Sequence, residues 1–190
     1  GAISIDTRKA AVAEAAVAAG ADLVNDVAGL TFDPALAPFC AARGLPVCVM
    51  HAQGDPATMQ RDPRYDDVLL DVYDYLAERI AALEAQGIPR ANIIADPGIG
   101  FGKTLEHNLA LLARLSLFHS LGVPILLGAS RKRFIGTIGG GAAGEDRAPG
   151  SIAVALAALN HGVQVLRVHD VAQTIQSILL YRSALAGKEI

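Results

Sequence analysis

The chain has 190 residues, of which 52% are hydrophobic and 18% charged, and its formal net charge is −3. This length is enough for one full hydrophobic core and too short for two ordinary domains, so we expect a single domain over residues 1–190. The composition excludes a disordered chain. Low net charge without blocks of like charge argues against nucleic-acid binding, and the apolar runs are too short to span a bilayer.

The positions of the two cysteines indicate the compartment in which the protein works. Cys40 and Cys48 do not have metal-ligand spacing, and Cys48 lies inside an apolar run. Reduced, buried thiols in a cytoplasmic protein are therefore expected.

The chain starts directly with a strand-like run at residues 3–5, without a signal peptide or any lead-in, so we expect a domain that is incomplete at its amino end.

Six apolar runs end in polar residues, at positions 3–5, 23–24, 47–50, 93–95, 125–127 and 165–168. They show little alternation, which is typical of strands buried on both faces of a parallel sheet. Helical patterns cover residues 8–19, 34–43, 66–86, 106–115, 151–160 and 171–186. Repeated strand–helix units predict a parallel α/β fold. The alternation alone does not choose between an open doubly wound sheet of six strands and an eight-stranded barrel lacking two.

Two longer connections, over residues 52–65 and 133–149, follow predicted strands. In parallel α/β folds such connections lie on the face that binds ligands. The second contains three consecutive glycines at positions 139–141, so we expect it to be mobile.

A glycine-rich stretch over residues 96–104 joins the fourth predicted strand to a helix. It is neither a phosphate-binding loop nor a dinucleotide fingerprint, because Pro97 and Lys103 occupy positions where those motifs need glycine. Glycine and proline let the backbone turn sharply and let a ligand approach it closely. Asp96 is then expected at the carboxyl end of the strand, where α/β proteins bind ligands.

The polar residues at the strand ends form one candidate site: Asp6, Asn25, His51, Asp96, Lys132, Arg167 and His169. A buried carboxylate accepts paired N–H groups of a guanidine-like ring, and an asparagine or lysine can bond to the same ring. Phe101 offers an apolar wall, while Arg167 and His169 suit a phosphate. The pattern therefore predicts a site for a flat, nitrogen-rich heterocycle that bears a phosphate or diphosphate.

Simpler interpretations stay open for several of these residues. Arg167 could form a structural ion pair with an interior aspartate. The segment at residues 130–133 could be a solvated charge run, and Asp6 or Asn25 could cap a helix or form a turn. The other histidines, His107, His119 and His161, are expected at the surface, and no pair of histidines has metal-ligand spacing.

The ordered motifs resemble those of the dihydropteroate synthase family across essentially the whole chain. The matching segments are Ser4-Ile5-Asp6-Thr7, Asn25-Asp26-Val27, Met50-His51-Ala52-Gln53-Gly54, Thr58-Met59-Gln60, Asp96-Pro97-Gly98-Ile99-Gly100-Phe101-Gly102-Lys103, Ser130-Arg131-Lys132, Gly150-Ser151 and Arg167-Val168-His169-Asp170-Val171.

The resemblance implies a parallel (β/α) barrel of the TIM type, here a partial barrel with strands 3 to 8. It implies a transferase that joins 6-hydroxymethyl-dihydropterin diphosphate to p-aminobenzoate in folate biosynthesis, and that is a target of sulfonamides. It also implies magnesium as cofactor, a homodimer, small-molecule substrates, and neither nucleic acid nor membrane as partner.

By the same resemblance the site residues divide by substrate. The pterin side has Asp6, Asn25, Asp96 and Lys132; the p-aminobenzoate side has Phe101, Ser130, Lys132 and Arg133; and the diphosphate side has Arg167 and His169. Met50 and Gly128 are further substrate-binding residues that are not assigned to one side. Lys132, Arg167 and His169 are the implied catalytic residues, and no metal ligand is assigned within the chain.

One departure from the family is large. The motifs of its first two strands, which carry the asparagine tied to magnesium and help to close over p-aminobenzoate, do not occur in this sequence. Two alternatives therefore remain beside the transferase: a non-catalytic remnant that binds a pterin, and a pterin-dependent methyltransferase domain.

Overall fold

The predicted parallel α/β architecture is confirmed by a computed structural model, which describes residues 1–54, 59, 61–141 and 144–189. Thr58 and Gln60 of the resemblance lie outside the described residues. The strands are β1 (Ser4–Asp6), β2 (Leu23–Asp26), β3 (Val47–Met50), β4 (Ile93–Asp96), β5 (Leu126–Leu127) and β6 (Val165–Leu166). The helices are α1 (Ala10–Ala18), α2 (Leu36–Arg43), α3 (Val68–Ala85), α4 (Leu105–Leu112), α5 (Arg133–Gly139), α6 (Ala148–Asn160) and α7 (Val171–Ala186).

The six strands are parallel and follow one another in chain order. Strands β1 to β4 form one sheet, and β5 pairs with β6. A bridge between Ala95 and Ile125 continues the order from β4 to β5. No described backbone pairing joins β6 back to β1, so the wall of strands stays open between them, as expected for a partial barrel. Parallel order brings every carboxyl end to one edge of the molecule.

Burial is deepest in the middle of this wall. All four residues of β3 are buried, whereas the three residues of β1 are exposed or half-buried. The long helix α3 buries six apolar side chains at helical spacing, and it starts at Asp67, whose carboxylate accepts the amides of Leu69 and Leu70. The core therefore fixes β3 and β4, whose carboxyl ends carry His51 and Asp96.

The segment predicted as a connection over residues 133–149 contains helical elements that the sequence analysis did not predict. Helix α5 occupies its first half, a short 3-10 turn spans Gly144–Arg147, and α6 begins at Ala148 with Pro149 in its first turn. Gly139 is the last residue of α5, and Gly140 and Gly141 follow its end. Proline in the first helical turn lacks only an N–H group that would have no intrahelical partner.

Other predicted elements differ at their ends. The helix expected over residues 106–115 stops at Leu112 and a 3-10 segment follows over Leu115–Leu121. The last strand was expected to reach residue 168, but its ladder ends at Leu166, and Arg167 adds one backbone bond to Leu127. No helix among the described residues has the length and apolar character needed to cross a membrane.

Candidate active site

The glycine-rich turn after β4 is pressed against the end of β3. Gly98 has φ +69°, and a Cβ atom there would lie 1.8 Å from the carbonyl oxygen of His51. Only glycine fits such a position. The Gly98 amide donates a 2.7 Å hydrogen bond to Oδ1 of Asp96, which holds the carboxylate at the strand end.

Asp96 is the most deeply buried of the predicted ligand-binding carboxylates, with 6% of its surface exposed. Burial raises its pKa, and the Gly98 amide together with the cations of Lys132, Lys103 and Arg167 counteracts that rise. Gly128 leaves the other oxygen uncovered, since a Cβ atom there would sit 3.6 Å from Oδ2. A flat ring with paired N–H donors would therefore meet a ready acceptor at Asp96.

Lys103 is the main site residue that the predicted set of strand-end residues omits. It is 4% exposed, and its Nζ lies 2.9 Å from Nδ1 of His51, 2.9 Å from the carbonyl of Gly98 and 3.0 Å from that of Phe101. Burial lowers its pKa to about 7 despite the nearby Asp96 carboxylate. The lysine therefore ties the glycine turn to the end of β3 from inside.

His51 is consequently a partner of Lys103 and not a free ligand of the site. Its ring is buried, and burial followed by the Lys103 charge lowers its pKa to about 3, so it stays neutral. The edge of the ring packs on Tyr75 at 4.9 Å between centroids. Met50, just before it, is 3% exposed and lies beside Gly98 at the floor of the turn.

Lys132 reaches across from the end of β5 to the same turn. Its ammonium donates to the carbonyl of Ile99 and lies 4.1 Å from the centre of the Phe101 ring, a cation–π contact. Burial lowers its pKa to about 8, although Asp96 favours the charged form. Lys132 therefore brings a cation and an aromatic wall to the side of the Asp96 carboxylate.

Asp6, Asn25 and Arg167 form a polar row between the first two strands and the last. Asn25 donates to Oδ2 of Asp6 at 3.2 Å, and Nη2 of Arg167 lies 3.2 Å from the same oxygen. Arg167 thus forms an ion pair, but with an exposed aspartate and not with the interior one considered for it, and the pair crosses the open side of the wall. Its side chains are 63% and 48% exposed, so it contributes little stability and leaves the guanidinium accessible to an anion.

The segment at 130–133 is not a solvated charge run. Ser130 is 8% exposed and lies 3.0 Å from Nδ1 of His169, which follows β6. Arg131 makes a two-point ion pair with Asp170, in which Nε lies 3.0 Å from Oδ2. Only Arg133 is exposed, at the first position of α5. The segment thus joins the ends of β5 and β6.

Two cavities meet at Phe101. One, of about 570 Å³, is lined by the lysines and by Arg133 and Thr137 of α5. The other, of about 540 Å³, is lined by Arg8, Phe32 and Tyr75 among others, and Arg8 stacks on Phe32 at 4.3 Å. Phe101 therefore stands between two spaces that could each take one aromatic ring.

The remaining histidines, which are expected at the surface, are half-buried. His107 completes the cap of α4 with Thr104, and Nε2 of His119 lies 2.7 Å from the carbonyl of His161. Within the described ranges, no group of three or more histidine, cysteine, aspartate or glutamate side chains could hold a metal ion.

Comparison with known proteins decides the family. The model of a family described as pterin binding enzyme matches residues 1–169. The chain belongs to this family. It is 43% identical to the dihydropteroate synthase of Escherichia coli K12 over 187 residues, which cover 98% of this chain and 66% of that protein.

Solved structures of family members agree. The Yersinia pestis dihydropteroate synthase with a sulfonamide drug matches with a TM-score of 0.93 and 40% identity over 97% of this chain and 66% of that one. The Xanthomonas albilineans enzyme, solved with 7,8-dihydropteroate and with 4-aminobenzoic acid, matches with a TM-score of 0.90 and 43% identity over 97% of this chain and 67% and 65% of those chains. The expected partial TIM-type barrel is confirmed. The chain spans about two thirds of the length of these relatives.

Proposed function

We propose that the chain is the greater part of a dihydropteroate synthase, which joins 6-hydroxymethyl-dihydropterin diphosphate to p-aminobenzoate and releases diphosphate. The observation that carries this is the buried Asp96 carboxylate, with Lys132 and Phe101 on one side and Arg167 at the end of β6. Relatives solved with 7,8-dihydropteroate and 4-aminobenzoic acid support both ring substrates.

Asp96 accepts the ring N–H and amino group of the pterin in this proposal. Burial disfavours the charged form of the Asp96 carboxylate, and the N–H donors of the pterin ring replace part of the hydration that the carboxylate loses. Asn25 offers a further donor and acceptor, and Gly128 leaves room for the ring beside the carboxylate. Lys132 donates to a ring oxygen or nitrogen.

The bond between the pterin methylene carbon and the diphosphate oxygen breaks, and the leaving oxygen keeps the electron pair. Arg167 and His169 stabilise this negative charge with donors that are already in place. The amino nitrogen of p-aminobenzoate bonds to the methylene carbon and loses its proton to solvent. Phe101 and Arg133 bound the space from which the amine approaches.

Three further features belong to the proposal. Magnesium would accompany the diphosphate, and the phosphate oxygens of the substrate would supply part of its ligands. We propose a homodimer, which light scattering would check. A cytoplasmic location is supported by Cys40 and Cys48, which are both free and buried.

The deciding experiment measures diphosphate release with both substrates and magnesium, and pterin binding by calorimetry. Arg167→Gln should lower the rate about 100- to 1000-fold, the usual effect of removing one group that stabilises developing charge. Arg182→Gln, on the exposed face of α7, is the matched control and should keep the rate. Pterin binding without any release would favour the non-catalytic alternative, and release of a methyl group from a pterin donor would favour the methyltransferase.

A further inference from the structure

Two consecutive side-chain pairs tie the loop after β5 to the loop after β6. In the first pair, the backbone amide of His169 donates to Oγ of Ser130 at 3.2 Å, and Nδ1 of the same histidine lies 3.0 Å from that oxygen. In the second, Arg131 holds both carboxylate oxygens of Asp170. The histidine expected to bind diphosphate is thus fixed by its neighbour on another strand.

The hydrogen-bonding capacity of one hydroxyl determines which ring nitrogen carries the proton. A serine hydroxyl has one proton to donate and two lone pairs to accept with. One lone pair of Ser130 takes the His169 amide. Among the described residues, the acceptor for the hydroxyl proton of Ser130 is Nδ1 of His169. The side chain of Ser130 is largely enclosed, since the residue is 8% exposed. A buried hydroxyl proton without an acceptor costs about 1–3 kcal/mol, so Nδ1 accepts and the ring proton of a neutral imidazole lies on Nε2.

The ion pair between Arg131 and Asp170 keeps Ser130 and His169 in this arrangement. Arg131 has φ +58°, a conformation that residues other than glycine rarely adopt. Its amide donates to Oγ of Ser151 at 2.8 Å, and its carbonyl accepts from Arg147 at 3.3 Å. Because Asp170 is 8% exposed and its pKa is lowered by the Arg131 hydrogen bonds, the pair stays ionised and keeps the two loops in register.

We propose that Ser130 is a positioning residue that holds His169 as its Nε2–H tautomer, so that a neutral imidazole donates a hydrogen bond to an anion beside Arg167. This rests on the proposed function, in which that strand end binds diphosphate. The resemblance places Ser130 on the p-aminobenzoate side, and the structure gives it a second task. The donor is then present without protonation of the ring, which a freely rotating histidine would not guarantee.

The direct test is nitrogen-15 NMR of the His169 ring at a pH where it is neutral. The unaltered chain should show a protonated Nε2 and an unprotonated Nδ1. Ser130→Ala should give a mixture of tautomers, and Ser130→Thr, which keeps the hydroxyl, should restore the single form. Ser120→Ala, whose hydroxyl bonds to Tyr73 and Leu117 on another part of the surface, is the matched control. A protonated Nδ1 in the unaltered chain would overturn the proposal.

A second test does not depend on Ser130 variants folding. Glutamine places an amide donor near the Nε2 position of histidine, whereas asparagine places its amide near Nδ1. With inorganic diphosphate as the probe in calorimetry, His169→Gln should bind within about threefold of the unaltered chain, and His169→Asn roughly tenfold more weakly, the effect of one lost hydrogen bond of about 1.4 kcal/mol. Equal weakening in both variants would contradict the Nε2–H assignment.

The two tests separate this inference from the proposed function. If the unaltered chain has the Nε2–H tautomer but does not bind diphosphate, the tautomer assignment holds and the anion site fails, which overturns the role given to Ser130. If it binds diphosphate and His169 is a mixture of tautomers, the transferase proposal survives and the positioning role of Ser130 is wrong.

Discussion

In the proposed function, Asp96 is the residue on which recognition of the pterin depends, because it is a buried carboxylate whose Oδ2 lies beside Gly128. Asp96→Asn replaces that acceptor by a group that can present N–H donors to the N–H donors of the ring. We expect pterin affinity to fall by about 1–3 kcal/mol, or roughly 5- to 150-fold, as measured by calorimetry. Asp74→Asn on the exposed face of α3 is the control. Unchanged affinity in Asp96→Asn would remove this carboxylate from the site.

Lys103 predicts how stability depends on pH. Its pKa is about 7 when folded, against about 10.4 in an unfolded chain, so between these values the unfolded chain holds more protons. Stability should therefore rise with pH in this window, by up to about 1.4 kcal/mol per pH unit. Lys103→Met should flatten the rise, while the smaller contribution of Lys132, whose folded pKa is about 8, remains.

Urea unfolding at several values between about pH 7 and pH 9 measures this slope. Lys9→Met is the control, because Lys9 is exposed and should not change it. Lys103→Met should also lose about 1–3 kcal/mol of stability at every pH, since the enclosed carbonyls of Gly98 and Phe101 lose their donor. An unchanged slope would show that the lysine titrates normally.

The residues at strand ends could be found from the sequence because an apolar run that stops at a polar residue marks its position in a parallel sheet. Asp96, Lys132 and Arg167 were predicted in this way. Lys103 was not, because it lies seven positions after the strand end, and only the folded turn brings its ammonium back under His51. Asp170 was absent from the candidate site for a related reason: its partner Arg131 lies in the loop after another strand, β5. Roles in binding remain predictions for the whole set.

At the scale of the element, the turn after β4 is the part that tolerates least change. Gly98→Ala would put a methyl group 1.8 Å from a backbone oxygen, which cannot move without distorting the end of β3. Gly44→Ala is a matched control, because Gly44 has φ +63° and open space around its Cβ position. We expect the control to lose about 1–2 kcal/mol, the cost of a left-handed conformation, and Gly98→Ala clearly more. Equal urea midpoints of unfolding for Gly98→Ala and Gly44→Ala would mean that the turn can relax around the added methyl group.

Elements were predictable where periodicity was strong. Helix α3 has its apolar residues at a clear helical spacing and was placed within two residues at its start and one at its end. Helix α5 was missed because Gly136 and Gly139 weaken its pattern in a helix of seven residues. It forms through packing, since Phe134 and Ile135 are buried in the core. Tertiary contacts outweighed local preference there.

At the scale of the whole molecule, the open side of the wall predicts where the sheet is weakest. Strand β1 pairs only with β2 and strand β6 only with β5 among the described residues, while β3 has a partner on each side. Hydrogen exchange followed by mass spectrometry should show faster exchange in peptides with β1 and β6 than in those with β3 and β4. Slow exchange at both outer strands would show that something covers them, such as a second copy of the chain.

The two buried thiols have a practical consequence. Cys40 faces the core from α2 and Cys48 lies in the central strand, and burial raises the pKa of the first to about 11 and that of the second well above its usual range. A thiol reagent attacks the thiolate, so neither cysteine reacts until its surroundings open. The rate of alkylation of each cysteine therefore measures how often its surroundings open, and no label has to be introduced. A pterin bound at the end of β3 should lower the alkylation rate of Cys48 in proportion to the fraction of the protein that has pterin bound.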